Sequence, residues 1–382
     1  MAQNILLLFG TRPEAIKMCP LALELSRRGG LRTRVCLTGQ HREMLTQAME
    51  DLGVGCDRSL EVMEEEQPLG ELTCRLLERV TAALREERPD RVLVHGDTTT
   101  AFAGALAAFY LGIPVGHVEA GLRTWDLSAP FPEEFNRQAV DRLADWRFAP
   151  TPQAARNLLR EGCPPDRVYV TGNTVVDALC RTLRADYTHP ALTWAGGRPL
   201  VLLTVHRREN LRALGALFET LGLLVRHHPE AAFLFPVHRN PQVRRQAYGL
   251  LGGLDNLRLV NPLGVRDFHN LLARSALVLT DSGGVQEEAA VLGRPVLVLR
   301  ERTERPEGVA PGCLHLTGTD EAAIRKNFES LLEKRETCAK IQIDLRLYGD
   351  GQAARRIADC LEAGRPGPPW TPQENEIYRV IG

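Results

Sequence analysis

The sequence predicts an α/β protein with two doubly wound, parallel-sheet (Rossmann-like) domains that face a central cleft. Short aliphatic runs alternate with helical patterns along the chain, which is typical of parallel sheets with right-handed crossovers. At 382 residues the chain is also too long for one ordinary hydrophobic core. A segment rich in Gly and Pro, Asp186 to Pro199, interrupts the alternation near the middle and predicts a linker.

Short apolar runs bounded by turn residues are the strand candidates of both halves. In the first half they are 4–9, 34–38, 91–95, 114–118, 146–149 and 167–170. In the second half they are 200–205, 231–237, 256–260, 276–280, 295–299 and 313–317. We therefore expect an N-terminal domain at 1–185 and a C-terminal, nucleotide-binding domain at 186–363. The last helix, at about 351–363, could pack back on the N-terminal domain, and 364–382 should form a loose tail.

Composition indicates a soluble globular protein and argues against two classes of partner. Hydrophobic residues make up 44% of the chain and charged residues 25%, with a formal net charge of −1. This near-neutral charge argues against a broad nucleic-acid surface. The longest uncharged stretch, 98–116, contains two glycines and a proline, which favours a buried helix and strand over a membrane span. The nine scattered cysteines and the lack of a signal-like segment predict a cytoplasmic protein.

Two loops that each follow a strand candidate have the composition of phosphate-binding loops. They are GTRPEAIK at 10–17 and DSGGVQEE at 281–288. A helix N-terminus attracts anions through its unpaired N–H groups and its partial positive charge. Arg12 and Lys17 add charge to the first loop, while Glu288 in the second could bind a ribose hydroxyl. The two loops predict one nucleoside-diphosphate ligand held between the domains.

Ionisable side chains occupy four further loops that follow strand candidates. Ligands of doubly wound sheets bind beyond the carboxyl ends of the strands, where such loops lie. The loops are HGDTTT (95–100), HVEAGLR (117–123), PEEFNR (132–137) and HRREN (206–210). Each has a simpler interpretation, since Asp97 could cap a helix and Glu133 could suit a helix start. Likewise, His206 could fill a polar gap. Together, however, the carboxylates and the His-Arg-Arg sequence predict an acid/base site.

These stretches resemble the non-hydrolysing UDP-N-acetylglucosamine 2-epimerases, which share the two-domain fold of GT-B glycosyltransferases. The matching motifs occur in order from residue 10 to about residue 357, so the resemblance covers nearly the whole chain. They are GTRPEAIKM (10–18), QHREML (40–45), HGDTTT (95–100), GHVEAGLRT (116–124), PFPEEFNRQ (130–138), TGNTVVDAL (171–179), HRREN (206–210), FPVHRNP (235–241), TDSGGVQEEA (280–289), TERPEG (303–308) and YGDG (348–351).

The resemblance implies interconversion of UDP-N-acetylglucosamine and UDP-N-acetylmannosamine. The family route is loss of UDP to give a 2-acetamidoglucal, followed by return of UDP with the C2 proton on the other face. The C2 proton is not next to a carbonyl, so departure of UDP must acidify it. The site therefore needs cations at the diphosphate and acid/base groups on both faces of C2. At least one of three crowded carboxylates should have a raised pKa, and which one is the acid is left open.

The resemblance also assigns individual residues. The catalytic positions are Asp97, Glu119, Glu133 and His206. The substrate-binding positions, with Arg207 added for its charge, are Arg12, Lys17, His41, Arg207, Phe268, Ser282, Gly283, Gly284, Glu288 and Arg305. From the residues alone, Phe268 could equally be helix packing and His41 an exposed helix-start residue.

A possible regulatory site departs from the family pattern. Some bacterial members are activated by their own substrate at a site where the resemblance implies a glutamine at position 43 and an arginine at position 66. This chain has Glu43 and Glu66 instead, whereas Gln40 and His238 do match. Carboxylates disfavour a second anionic sugar nucleotide, so we expect weak or absent activation. Trp125 also replaces the glycine expected there and could crowd the loop before Glu133.

We expect no cofactor and no catalytic metal. No GxGxxG follows the first strand candidate, and the histidines lack an HExxH spacing. The expected partner is the UDP-sugar substrate, with no nucleic acid and no membrane, and the resemblance implies a homodimer. Three alternatives are open: a GT-B glycosyltransferase, a hydrolysing epimerase that releases N-acetylmannosamine and UDP, and a catalytically inactive sugar-nucleotide sensor.

Overall fold

The structure is a computed structural model and describes residues 2–39, 42–62, 67–207, 213–301, 303–304, 309, 314–333 and 348–364. It divides into two compact units. Among the described residues, the first unit contains 2–181 and 348–364, and the second contains the part from 182 to 333. The change from the first unit to the second thus falls between residues 181 and 182, whereas the sequence predicts a domain boundary between residues 185 and 186.

All described strands belong to one of two parallel sheets, and all except one two-residue strand occupy segments predicted from the apolar runs. The strands are β1 (Gln3–Phe9), β2 (Leu31–Leu37), β3 (Arg58–Ser59), β4 (Arg91–His95), β5 (Val115–Val118), β6 (Trp146–Ala149), β7 (Val168–Val170), β8 (Leu200–Thr204), β9 (Ala232–Pro236), β10 (Leu257–Val260), β11 (Leu277–Thr280), β12 (Val296–Val298) and β13 (Leu314–Leu316). The apolar pattern does not predict β3, because a strand of two residues is too short to show one.

Helices alternate with these strands. They are α1 (Arg12–Leu25), α2 (Arg42–Leu52), α3 (Leu69–Glu87), α4 (Thr99–Tyr110), α5 (Glu133–Leu143), α6 (Pro152–Arg160), α7 (Thr174–Thr182), α8 (Pro190–Ala195), α9 (Leu214–His227), α10 (Pro241–Leu251), α11 (Val265–Ala273), α12 (Gly283–Val291), α13 (Glu321–Glu333) and α14 (Ala353–Ala363). A short 3₁₀ helix spans Pro165–Arg167. No described helix has the length and apolar character needed to span a lipid bilayer.

The strand order of each sheet places a topological switch point at the predicted loops. The first sheet has the order β3-β2-β1-β4-β5-β6-β7, and the second has the order β10-β9-β8-β11-β12-β13. The order reverses between β1 and β4 in one sheet and between β8 and β11 in the other. Ligands of doubly wound sheets bind beyond the carboxyl ends of the strands at this point. The predicted fold class is therefore confirmed, and each unit presents the loops of interest at its switch point.

Burial of the central strands explains why they appear as continuous apolar runs. In β1 the residues from Ile5 to Phe9 are all buried, as expected for a parallel strand covered by helices on both faces. In the second unit, Phe233 and Phe235 of β9 pack in one core cluster with Phe218 of α9. The two sheets thus form rigid platforms for the loops at their carboxyl ends.

The last helix, α14, packs within the first unit. Arg28, just beyond α1, contacts Asp359 and Glu362 of α14 at 2.7 and 2.8 Å. The carboxylate of Asp177 in α7 accepts hydrogen bonds from the backbone N–H groups of Ala353 and Ala354, at 3.2 and 3.0 Å. The helix that ends the described chain is therefore attached to the first unit at both of its ends.

Candidate active site

The loop after β1 is shaped by a helix cap and by a close backbone contact. Thr11 caps α1, and Glu14 completes the capping box by accepting from the Thr11 N–H at 2.7 Å. Glu14 also accepts from the Thr98 hydroxyl at 2.7 Å, which ties this loop to the loop after β4. A Cβ atom on Gly10 would lie 2.0 Å from Thr38 Oγ1, so only glycine fits there. Burial raises the pKa of Glu14, although these hydrogen bonds oppose that effect.

Glu119 lies at the centre of a buried polar cluster. Its carboxylate forms an ion pair with Lys17 and accepts a hydrogen bond from Asn173 Nδ2 at 2.8 Å. Its backbone has a φ of 67°, a conformation that L-residues other than Asn and Asp rarely adopt. Such strain is concentrated at functional sites, where surrounding contacts hold it in place.

His95 borders the same cluster in its neutral form. Its Nε2 atom lies 3.7 Å from Glu119 Oε2. Burial lowers the pKa of His95 to about 4, against the opposing effect of the Glu119 carboxylate. Within the described residues, Nε2 is buried and has no hydrogen-bond partner. A neutral ring nitrogen is thus directed at the Lys17–Glu119 pair.

Asp97 is fixed by α5 and does not cap α4. The N-cap of α4 is Thr98, whose side chain accepts from the Ala101 N–H. The Asp97 carboxylate instead pairs with Arg137 at 2.5 Å, and its backbone carbonyl accepts from Asn136 Nδ2 at 2.9 Å. The helix-cap interpretation of Asp97 is therefore wrong, because the adjacent threonine performs that role.

The two adjacent glutamates at the start of α5 lie in different environments. Glu134 is fully buried and accepts from the backbone N–H groups of Thr124 and Trp125, both at 3.0 Å. It thereby holds the loop that precedes α5. Glu133 is the first residue of α5 and is half-buried. Of the two, Glu133 is the carboxylate that a ligand could reach.

A buried chain of charged groups supports the loops that carry Asp97 and Glu119. Glu161 contacts Arg123, Arg123 contacts Asp141, and Asp141 contacts His117 Nδ1, at 2.7, 2.7 and 2.6 Å. His117 Nε2 then donates to the carbonyl of Gly96, at 2.8 Å. Burial alone would raise the pKa of Asp141, but the nearby His117 and Arg123 outweigh it and lower that pKa to about 2. The last two members of this series, Gly96 and His117, lie one residue before Asp97 and two residues before Glu119, respectively.

In the second unit, one buried carboxylate shapes the His-Arg loop after β8. Asp281 accepts from the backbone N–H groups of His206 and Arg207, at 3.0 and 2.9 Å. Its Oδ1 atom also lies 3.4 Å from His206 Nδ1. Desolvation lowers the pKa of His206, with Asp281 opposing and Arg207 adding to the shift. The His206 side chain keeps 35% of its surface exposed, so a neutral imidazole remains accessible to a ligand.

Two neighbours of this loop are not expected there from sequence. The His238 ring stacks on the His206 ring, with centroids 5.3 Å apart, although the sequence assigns His238 to a regulatory site. Arg300 pairs with the buried Glu304 at 3.0 Å, and Arg207 lies 3.9 Å from the same carboxylate. The sequence does not point to Arg300, because this residue follows β12 without a recognisable motif.

The predicted nucleotide loop begins α12 at the carboxyl end of β11. Ser282 is the N-cap residue, and its side chain forms no capping hydrogen bond. Glu288 lies on the buried face of α12, with Oε2 3.7 Å from His269 Nε2 and no hydrogen-bond partner among the described residues. His269 is held by the Thr182 hydroxyl at 2.7 Å. A buried carboxylate with a spare acceptor suits a ligand hydroxyl.

The remaining residues predicted from the sequence differ in burial, and four of them lie outside the described part of the chain. Phe268 is half-buried in the first turn of α11, beside the His269 ring. Glu43 is exposed in the first turn of α2. Gln40, His41, Glu66 and Arg305 lie outside the described residues. In the part of the chain that the structure describes, no group of His, Cys, Asp and Glu side chains could hold a metal ion.

The chain has two doubly wound parallel sheets, and each carries loops suited to ligand binding at its switch point. This architecture defines a GT-B-like α/β protein. The comparison with known proteins is more specific, because the family model for UDP-N-acetylglucosamine 2-epimerase matches residues 23–362. The chain therefore belongs to the UDP-N-acetylglucosamine 2-epimerase family.

Individual relatives agree with this assignment. The chain is 49% identical over 359 residues to a UDP-N-acetylglucosamine 2-epimerase of Bacillus subtilis, covering 94% of both chains. It resembles the crystal structure of a putative family member from Listeria monocytogenes, with a TM-score of 0.93, 46% identity, and coverage of 97% and 100%. The Neisseria meningitidis enzyme bound to UDP-GlcNAc gives a TM-score of 0.90, 42% identity, and coverage of 94% and 100%. A calicheamicin glycosyltransferase, at 17% identity and a TM-score of 0.57, shares the fold alone.

Proposed function

We propose that the protein interconverts UDP-N-acetylglucosamine and UDP-N-acetylmannosamine without releasing the free sugar. The observation that supports this proposal most is the arrangement around Asp97 and Glu119. Both carboxylates lie at the carboxyl ends of adjacent strands, and each is paired with a cation, Arg137 or Lys17. A transferase that moves the sugar to an acceptor has no need for such acid/base groups.

In the proposed elimination, the bond between C1 and the diphosphate oxygen breaks and UDP leaves with the bonding electrons. A base then removes the proton from C2, and the C1–C2 double bond of 2-acetamidoglucal forms. In the return step, a proton is delivered to the opposite face of C2, and the diphosphate oxygen bonds to C1 again. Atoms and charge balance over the cycle, so no hydride carrier is required.

The first unit would supply the acid/base groups. Asp97, Glu119 and Glu133 are the proposed acid/base residues, and the neutral His95 beside Glu119 lets a proton move without adding a charge. Lys17 stabilises the ionised form of Glu119, while Arg12 at the start of α1 adds positive charge for the diphosphate. Departure of UDP creates a cationic sugar, which these carboxylates would stabilise.

The second unit would bind the nucleotide. The backbone N–H groups at 282–284 begin α12 and suit phosphate oxygens. His206 and Arg207, fixed by Asp281, would contact the diphosphate as it departs, and His206 would act there as a fourth acid/base residue. Glu288 would accept from the ribose hydroxyls, and Phe268 would contact the base. His41 and Arg305 complete the proposed set of UDP ligands by family resemblance.

Proton NMR of the purified protein with UDP-N-acetylglucosamine in D₂O, without added cofactor, tests this function. We expect UDP-N-acetylmannosamine with deuterium at C2 and an intact bond to the diphosphate. Free N-acetylmannosamine together with UDP would instead assign the hydrolysing reaction. An unchanged spectrum at high enzyme concentration would contradict epimerisation and favour a transferase or a sensor.

We also propose that the protein is a homodimer, as family resemblance implies. Light scattering of the purified protein would measure this directly, and a mass of one chain at micromolar concentration would contradict it.

A further inference from the structure

A pocket of about 410 Å³ lies within the second unit, at the amino ends of its strands. Most of its residues immediately precede or begin β8, β11 and β12, and two lie in α8, whereas His206 and Asp281 follow the carboxyl ends of β8 and β11. Because the sheet is parallel, the pocket and the candidate nucleotide residues lie at opposite edges of it. The lining residues are Leu192, Ala195, Gly197, Arg198, Pro199, Leu200, Arg274, Ser275, Ala276, Gly293, Arg294 and Pro295.

The charge of the pocket lining is entirely positive. Arg198, Arg274 and Arg294 contribute three guanidinium groups, and none of the described lining residues is acidic. Arg198 Nε donates to the Ala195 carbonyl at 2.9 Å, and Arg274 Nη2 donates to the Arg184 carbonyl at 2.8 Å. Arg198 Nη2 also donates to the Trp194 carbonyl, and both Nη atoms of Arg274 donate to backbone carbonyls. These acceptors are neutral, so the hydrogen bonds orient the two guanidinium groups without pairing either of them with a carboxylate.

Arg294 is the member with the most spare hydrogen-bonding capacity. Its Nε atom is buried and has no hydrogen-bond partner among the described residues. Burial lowers the pKa of Arg294, and no acidic group opposes that effect. An orphaned guanidinium N–H in a partly buried position is costly, which favours an anionic acceptor there.

The negative C-terminal ends of nearby helices offset only part of this positive charge. The C-termini of α8, α11 and α12 precede Arg198, Arg274 and Arg294, and cations suit helix C-termini. Each C-terminus carries up to about −0.5 elementary charge, so three of them offset about half of the three positive charges. The remaining charge, roughly +1.5, is close to the charge that a phosphomonoester neutralises.

We propose that this pocket binds a phosphate group carried by a small organic molecule. Arginine forks match phosphate oxygens in geometry and charge. The volume exceeds what one phosphate needs and falls within the range of small-molecule sites. Apart from Ser275 and two glycines, the rest of the lining is apolar, including Leu192, Leu200 and Pro295, and would contact the organic part.

The test is calorimetric titration of the full-length protein with ribose 5-phosphate, inorganic phosphate and ribose. The titrations are run without UDP, which is itself an organic phosphate, and the variants below separate this pocket from the candidate nucleotide residues. We expect ribose 5-phosphate to bind and ribose not to bind. Equal affinity for inorganic phosphate would still support a phosphate site, with free phosphate as its occupant. Absence of binding by both phosphate compounds up to about 10 mM, a limit weaker than ordinary small-ligand affinities, would overturn the proposal.

Variants locate the binding. Arg294→Gln should weaken ribose 5-phosphate by roughly tenfold or more, as expected for a lost charge-assisted hydrogen bond. Arg245→Gln is the matched control, because Arg245 is exposed in α10 and does not line the pocket. Ala276→Leu, which fills the pocket and keeps every charge, should also weaken binding. Equal affinity in wild type, Arg294→Gln and Ala276→Leu would contradict this location.

Discussion

At the scale of single residues, the candidate acid/base groups are ionisable side chains whose partners are fixed by the sheet. Glu119 follows β5 and pairs with Lys17 from α1, while Asp97 follows β4 and pairs with Arg137 from α5. A cation next to a carboxylate favours the ionised form, and desolvation opposes it. The balance of the two effects sets which group acts as acid and which as base.

Asp97→Asn and His206→Ala should each lower kcat by roughly 10²–10⁴-fold, the usual contribution of an acid/base group. Steady-state rates of UDP-sugar interconversion and far-UV circular dichroism would test this. Asp166→Asn is the control, because Asp166 is exposed in the short 3₁₀ helix. A loss of less than about threefold for both variants, well below that usual range, would remove these residues from the proposed mechanism.

Lys17→Met should lower kcat and move the acid limb of its pH profile to higher pH. The physical reason is that a buried carboxylate without its cation takes up a proton more readily. Lys17→Arg, which keeps the charge, should restore most of the profile. If Lys17 served only to bind the diphosphate, the variant would raise KM and leave the shape of the profile unchanged.

At the scale of elements, buried side chains join the loops after β4 and β5 to helices α5 and α6. The chain from Glu161 through Arg123, Asp141 and His117 ends at the Gly96 carbonyl, so it holds the backbone beside Asp97. We infer that these four groups are positioning residues, because they are bonded to one another and end on a backbone carbonyl.

Asp141→Asn should destabilise the fold by about 3–5 kcal/mol, the usual cost of breaking a buried ion pair. The change leaves Arg123 and His117 without their shared carboxylate. Urea unfolding would measure the difference. Glu329→Gln is the control, since the Arg325–Glu329 pair of α13 is largely exposed and should contribute less than about 1 kcal/mol. Similar effects for the two variants would show that the buried chain does not stabilise the fold in this way.

The attachment of α14 should make stability depend on pH through Asp177. Burial raises the pKa of Asp177 from its ordinary value of 3.8 to about 7, against the two hydrogen bonds from the start of α14. The folded state therefore holds the proton more tightly than the unfolded state. Its contribution to stability is present below about pH 4 and is lost as the pH rises towards 7.

Asp177→Asn should therefore become more stable relative to wild type as the pH rises from about 4 to about 7. The comparison is made between variant and wild type, because other carboxylates, such as Asp350 with its lowered pKa, titrate in both proteins. Unfolding free energies at several pH values would give the difference. A difference that stays constant over this range would show that the Asp177 carboxyl is not buried as the structure has it.

At the scale of the whole molecule, a 3-2-1-4-5-6 strand order occurs twice along one chain, and the first sheet adds a seventh strand, β7. In each unit the reversal of strand order separates two loops, and chemically important side chains occupy both. The two units differ in what those loops offer. The first unit presents carboxylates with paired cations, and the second presents a helix start with glycines and a buried acceptor, Glu288.

The whole enzyme should show a hyperbolic dependence of rate on UDP-N-acetylglucosamine. Glu43 and Glu66 would repel a second anionic sugar nucleotide, so activation by substrate should be weak. The double variant Glu43→Gln, Glu66→Arg should make the dependence more sigmoidal. A sigmoidal wild-type response that is abolished by changing Gln40 would instead show that the regulatory site still works.

Sequence alone predicted every long strand, because apolar runs are local properties of the chain. Its short motifs also supplied most of the candidate site residues, whose roles are still predictions. It did not predict β3, whose two residues carry no pattern. It did not identify Glu14 as the link between two loops, although the Thr-x-x-Glu capping box at Thr11 was visible. It also left open whether Asp97 capped a helix, which depends on its distant partner Arg137.

The sequence by itself thus determined the fold class, the alternation of strands and helices, and the family. Only the tertiary structure decided which charges meet: Lys17 with Glu119, Arg137 with Asp97, and His238 against His206. The physical reason is that apolar periodicity is encoded by neighbours in the chain. Ion pairing and desolvation, in contrast, depend on distances between residues that only the folded sheets bring together.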